Sequence, residues 1–146
     1  MDRLTPEERS ANMGRIRGKD TKPEMRLRRY LHSRGLRYRL HARDLPGSPD
    51  IVLRPSRLAV FVHGCFWHRH EGCRLTTVPS TNRSFWRKKF TRNVERDREV
   101  QAALQQLGWE TMIIWECQTR DERQLINRAE DILRQARLRR QRGVPG

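Results

Sequence analysis

The chain has 146 residues and carries 32 Lys+Arg against 17 Asp+Glu, a net charge of +15, with 35% hydrophobic residues. Its length suits one domain with one core, and its apolar residues fall in periodic runs, which excludes a wholly disordered chain. No run approaches the ~18 consecutive apolar residues of a membrane span, so no membrane association is expected, and so large a cationic excess is the footprint of a protein that meets polyanions.

Met1 to Pro6 lacks the apolar stretch of a secretory signal. Two of the three cysteines lie close together with a histidine between them. That pattern suits metal ligands in a reducing compartment, not a disulfide framework, and a cytoplasmic protein is expected.

Thr5-Pro6-Glu7-Glu8 is a capping box with proline at the first helical position, so a short helix is predicted there. Thr21-Lys22-Pro23-Glu24 opens a second helix that turns Leu27, Tyr30 and Leu31 inward and stops at Gly35. Leu36, Tyr38 and Leu40 alternate with Arg37, Arg39 and His41, the pattern of a half-buried strand. The turn Leu45-Pro46-Gly47-Ser48-Pro49 delivers Asp50 to a strand Ile51–Leu53. After a turn at Arg54–Arg57, Leu58–His63 reads as a central strand buried on both faces. A loop then reaches about Asn82, a long helix runs from about Ser84 to Leu107, and Trp109–Trp115 forms another apolar strand. Thr119-Arg120-Asp121-Glu122 is a third capping box and starts the last helix, whose apolar stripe is Leu125, Ala129, Ile132, Leu133 and Ala136.

The predicted fold is α/β, a mixed sheet flanked by helices, built from hairpins and one β–α–β crossover. A single domain over 1–146 is expected, with a frayed basic tail at 140–146.

Cys65, His70, Cys73 and Cys117 make a Cys₃His set, the composition of a closed tetrahedral Zn²⁺ site with a structural role. The alternative makes Cys117 a buried apolar residue and Cys65 a surface thiol. No His-Glu-x-x-His protease helix is present, nor the His-x-Glu and Pro-Cys-x-x-Cys of nucleobase deaminases. Asp50, at a turn entering a strand, sits where many nucleases hold Mg²⁺ beside the scissile phosphate. The usual acid-x-Lys partner is missing from Phe61-Val62-His63, and an ordinary turn residue is the alternative. His68, pinned between Cys65 and His70, can accept a proton from water, and His63 can donate to a phosphate. Glu24 already has a capping duty.

Phe66 and Trp67, held between metal ligands, are expected to be exposed as a wedge that enters a base stack. Phe85-Trp86 offers a second wedge, with helix packing as the alternative. Arg83, Arg87, Lys88, Lys89, Arg92, Arg96 and Arg98 crowd the long helix and can grip phosphates.

These residues together resemble the very short patch repair (Vsr) family of DNA mismatch endonucleases. The resemblance rests on Asn12-Met13, Asp20-Thr21, Leu45 to Asp50, His63 to His68 and Phe85-Trp86. It continues through Asn93 to Arg98, Leu107-Gly108-Trp109 and Trp115-Glu116-Cys117, and runs in order over roughly 10–117. It implies a restriction-endonuclease-like fold, a structural zinc on Cys65, His70, Cys73 and Cys117, and a Mg²⁺-dependent nick 5′ to the thymine of a T·G mismatch. Such mismatches arise when 5-methylcytosine deaminates, which implies a functional link to a cytosine-5 DNA methyltransferase and to the mismatch-repair and resynthesis machinery.

On matching positions, Asp50 and the backbone carbonyl of Val62 would hold Mg²⁺ and His68 would be the base. His63 and Glu24 would help position phosphate and water, and Phe66, Trp67 and Trp86 would intercalate. Residues 1–20 would form a DNA-contacting arm, with DNA contacts at Met13, Arg15, Lys88, Lys89, Asn93 and Arg96. A bacterial-type, nucleoid-associated monomer follows, since a single asymmetric mismatch needs no dimer. Val62 stands where the family has threonine and Arg69 where it has histidine, and the His70–Cys73 gap is longer than in some members. A non-catalytic zinc-braced DNA-binding module, or a nuclease cutting both strands of unmismatched DNA, are the rival readings.

Overall fold

The computed structural model describes residues 20–141. The predicted helix at Thr5–Glu8, the Met13 and Arg15 contacts and the end of the basic tail lie outside the described residues.

Helix α1 (Lys22–Ser33) starts where the capping box places it: the Glu24 amide donates to Thr21 Oγ1 at 3.4 Å. Glu24, Leu27 and Leu31 share its buried face, the spacing of one helical stripe. Gly35, at φ +77, reverses the chain, and the Leu36 amide closes on the Leu31 carbonyl at 3.1 Å.

Strands β1 (Arg39–Leu40), β2 (Ile51–Leu53), β3 (Leu58–His63) and β4 (Glu110–Trp115) form one sheet in that order. The β1–β2 and β2–β3 pairs are antiparallel; β3–β4 is parallel, in register from Leu58↔Glu110 to His63↔Trp115. The sheet is thus mixed, as predicted. Strand β1 is shorter than the alternation suggested. Leu36, Tyr38 and Leu40 do pack on the core, but only two residues pair with β2 before the chain bends at His41 (φ +47).

Period-2 alternation sorts β2 and β3 between two cores. Ile51, Leu53, Leu58 and Val60 face α1 and the last helix, α5 (Glu122–Gln141), whose Ala129, Ile132 and Ala136 complete that cluster. Val52, Ala59 and Phe61 face the other side, with Leu104 of the long helix α3 (Arg83–Gln106) and Trp109. Strand β3 is therefore covered on both faces, which accounts for its continuous apolar run.

Two local expectations are corrected. The segment after β3 is not all loop, because Cys65–His68 forms a short helix, α2, closed by Arg69 at φ +53. Thr119 does not cap the last helix. It lies inside a short helix, α4 (Glu116–Arg120), where its hydroxyl donates to the Glu116 carbonyl at 2.8 Å. Asp121, in extended conformation, takes the capping role and accepts from the Gln124 amide at 3.2 Å, as its short carboxylate favours.

Candidate active site and metal centre

The ends of β2 and β3, the start of α1, α2 and the middle of α3 converge on a cleft of about 1080 Å³. Its lining includes Asp50, His63, His68 and Asp97, with Lys22, Arg26, Arg43, Arg96 and Arg120 around them. Asp50 leaves the Pro49 turn with Oδ2 accepting from the Val62 amide at 2.7 Å, so its carboxylate is anchored to the neighbouring strand.

His63 ends β3 and is buried, and its ring stacks on His68 at 3.7 Å between centroids and 8° between planes. Trp115, at the parallel position on β4, meets His63 edge-on at 5.4 Å. His68, on the last residue of α2, donates from Nδ1 to Asp97 Oδ2 on α3 at 2.6 Å. A carboxylate on Nδ1 fixes the tautomer and leaves Nε2 as the acceptor of the neutral ring. That geometry is one a general base can use.

Three predicted site residues thus meet in one cleft: Asp50, His63 and His68. Glu24 is set apart from them. Its side chain is 1% exposed, and Oε2 accepts from His41 Nε2 at 2.9 Å and from Arg28 Nη1 at 3.2 Å. Its Oε1 is buried without a hydrogen-bond partner, and it is His41, not Glu24, that lines the cleft. Asp97 is the cleft residue that sequence reasoning passed over. A signal existed: Trp86, Phe90, Asn93, Asp97, Val100 and Leu104 follow one helical stripe, and a lone acid on the inward face of a basic helix needs a partner.

The four predicted metal ligands also come together. The donor atoms of Cys65, His70, Cys73 and Cys117 all lie within 4.8 Å of one another. His70 Nδ1 is 3.6 Å from Cys65 Sγ and 3.5 Å from Cys117 Sγ. Zinc–sulfur and zinc–nitrogen bonds of ordinary length give a tetrahedral S···N edge of about 3.6 Å, so the donor set fits a zinc ion in both chemistry and span. Burial pushes the Cys65 thiol up to about 12 and raises Cys117, whereas the Leu75 amide lowers Cys73. A metal would have to displace the protons of these thiols. His70 is oriented by stacking on Trp115 at 4.1 Å. The Cys65 amide donates to Glu116 Oε1 at 3.3 Å, which ties this loop to the end of β4.

The expected exposed wedge is corrected. Trp67 and Trp86 are 7% and 3% exposed and pack with Phe90, while Phe66 and Phe85 are half-buried beside them. The long helix supplies an apolar face of its own, so the aromatics between the ligands do have a local core to enter. Asn93 Nδ2 donates to the Trp67 carbonyl at 3.3 Å, and Lys89 Nζ lies 5.5 Å from the Trp67 ring centroid. Lys88 and Arg96 are exposed on the same helix, with Arg96 on the cleft.

The chain is similar in sequence to known proteins. Residues 1–74 match the family described as DNA mismatch endonuclease Vsr. The chain is 46% identical over 132 residues to the type II nicking enzyme V.XorIIP of Xanthomonas oryzae pv. oryzae, covering 90% of this chain and 96% of that one. It is 46% identical over 121 residues to the DNA mismatch endonuclease Vsr of Escherichia coli K12, covering 83% of this chain and 77% of the relative. It is 38% identical over 130 residues to the type II nicking enzyme V.NmeAIP of Neisseria meningitidis, covering 87% and 92%. The chain belongs to the Vsr family of DNA mismatch endonucleases and is a DNA-hydrolysing enzyme.

Proposed function

We propose that this endonuclease nicks one strand of duplex DNA on the 5′ side of the thymine in a T·G mismatch. The observation that carries the chemistry is the stack of His63 on an Asp97-bound His68, in the same basic cleft as Asp50. His68 Nε2 takes the proton of the attacking water, and Asp97 holds the ring and the charge that develops on it. His63, packed against His68, faces the phosphate and donates to its oxygen or to the leaving group. Asp50 and the backbone carbonyl of Val62 would hold a Mg²⁺ ion, and the amide-to-carboxylate bond between them keeps these groups adjacent. When bound, the ion supplies charge stabilisation at the phosphate. Glu24 acts from behind the cleft wall, through His41. The names of the relatives, as nicking and mismatch endonucleases, support a single-strand cut at a mismatch.

Cys65, His70, Cys73 and Cys117 would hold a structural zinc beside the helix bearing His68, in a fold of the restriction-endonuclease type. The aromatic cluster of Phe66, Trp67 and Trp86 enters the base stack at the lesion, where unstacking costs least. Because Trp67 and Trp86 are buried in the protein, Phe66 leads and the tryptophans back it. Met13, Arg15, Lys88, Lys89, Asn93 and Arg96 contact the DNA. We place the protein in the cytoplasm as a monomeric single domain, acting downstream of a cytosine-5 methyltransferase and handing its nick to resynthesis.

Asp50→Ala tests the chemistry. Nicking of a T·G duplex should fall below detection while affinity for that duplex, measured in Ca²⁺ or EDTA, stays within about threefold of wild type. An active Asp50→Ala variant would remove Asp50 from the metal site.

A further inference from the structure

Arg69 occupies a position that neither the chemistry nor the metal cluster uses. It follows α2 directly, and its φ of +53 places it in the left-handed region that non-glycine residues seldom adopt. The backbone turn folds its side chain back over the aromatic cluster. Arg69 Nη1 donates to the Phe66 carbonyl at 3.2 Å and to the Thr77 carbonyl at 2.9 Å. Its Cζ lies 4.0 Å from the centroid of the Phe90 ring and 5.6 Å from that of Phe66. Burial lowers its pKa, as expected for a guanidinium drawn out of water onto two rings.

These contacts join three parts of the chain. Phe66 is on α2, Thr77 belongs to the segment that crosses from the metal loop to α3, and Phe90 is on α3. The planar guanidinium stacks on a ring with its face and donates with its edge, a combination an ammonium cannot reproduce. Phe66 is a half-buried aromatic of the cluster, with its ring against those of Trp67, Trp86 and Phe90.

We propose that Arg69 is the positioning residue of the mismatch wedge, setting the height and rigidity of Phe66 and thereby the preference for mismatched over matched duplex. The proposal rests on the reading of the aromatic cluster as a wedge. A positioned wedge meets a weakened base step without first paying to order itself, whereas a loose one gains less from the mismatch. Loss of Arg69 therefore acts on discrimination and not on the hydrolytic step.

The test compares wild type, Arg69→Ala and Arg69→Lys on T·G and matched duplexes carrying 2-aminopurine beside the variable pair. Lysine preserves the charge, so a loss common to both variants is not a salt effect. Both variants should lose about tenfold in affinity for the T·G duplex, keep their matched-duplex affinity within about twofold, and give a smaller 2-aminopurine rise. At saturating DNA, kcat should stay within about threefold of wild type. Arg69→Lys with the wild-type ratio of affinities and the wild-type fluorescence rise would overturn the proposal. So would a loss of discrimination that comes with loss of bound zinc, which would assign Arg69 to the metal loop. A wild-type protein that binds both duplexes alike with no fluorescence change would instead remove the wedge reading, and the role of Arg69 with it.

Discussion

His68 and Asp97 lie 29 residues apart in sequence yet form a 2.6 Å contact, and the proposed chemistry needs that contact as much as either residue. Asp97→Asn keeps the shape of the side chain but can no longer hold the imidazolium by charge. We expect it to lower the single-turnover nicking rate about a hundredfold while DNA affinity stays within about threefold. An unchanged rate would mean that Asp97 only packs. His63, His68 and Asp50 were legible because each sits at a strand end or next to a ligand, where local spacing limits where the side chain can go. Asp97 was not, because a helix offers many acids and only tertiary packing chooses one. The buried Trp67 and Trp86 were missed for the opposite reason. Each was judged from its own segment, whereas their burial requires two apolar segments to meet.

At the scale of elements, the turn before Asp50 is set by α3. Gly47 has φ +73, and a Cβ there would lie 2.4 Å from Val100 Cγ1 and 3.3 Å from the Phe61 ring. Gly47→Ala therefore combines backbone strain with a clash, and we expect it to destabilise the fold by about 2 kcal/mol, read as a lowered Tm. Val100→Ala in the same chain should restore only part of that loss, because it removes the overlap but not the strained φ. Full restoration would show that strain contributes nothing. The long helices α1, α3 and α5 and the β–α–β crossover were legible from capping boxes and apolar periodicity, and the Thr21 cap and the stripe of α5 lie where the pattern placed them. The boundary at Thr119 was not legible. Thr119 and Asp121, two positions apart, can each cap a helix, and only the end of β4 decides between them.

Over the whole molecule, charge and aromatics divide the work of recognition. A net charge of +15, with Lys22, Arg26, Arg43, Arg96 and Arg120 on the cleft, attracts any duplex through its phosphates. If about six phosphates are engaged, raising salt from about 50 to about 200 mM should lower affinity on the order of a thousandfold. Matched and mismatched duplexes should weaken by the same factor, since their phosphates are alike; a steeper loss for one of them would mean that mismatch preference is itself electrostatic. Polyanion binding was legible in composition alone. The strand chosen for cutting was not, because composition and local spacing say nothing of how a duplex lies in the cleft.

The central claim is tested most directly with a T·G duplex whose two strands carry different end labels, incubated with the protein and Mg²⁺ across a set of flanking sequences. The account predicts a single cut on the 5′ side of the mismatched thymine, an intact guanine strand and an uncut matched duplex. Cutting of both strands, equal cutting of matched DNA, or no cut in any flanking sequence would contradict it.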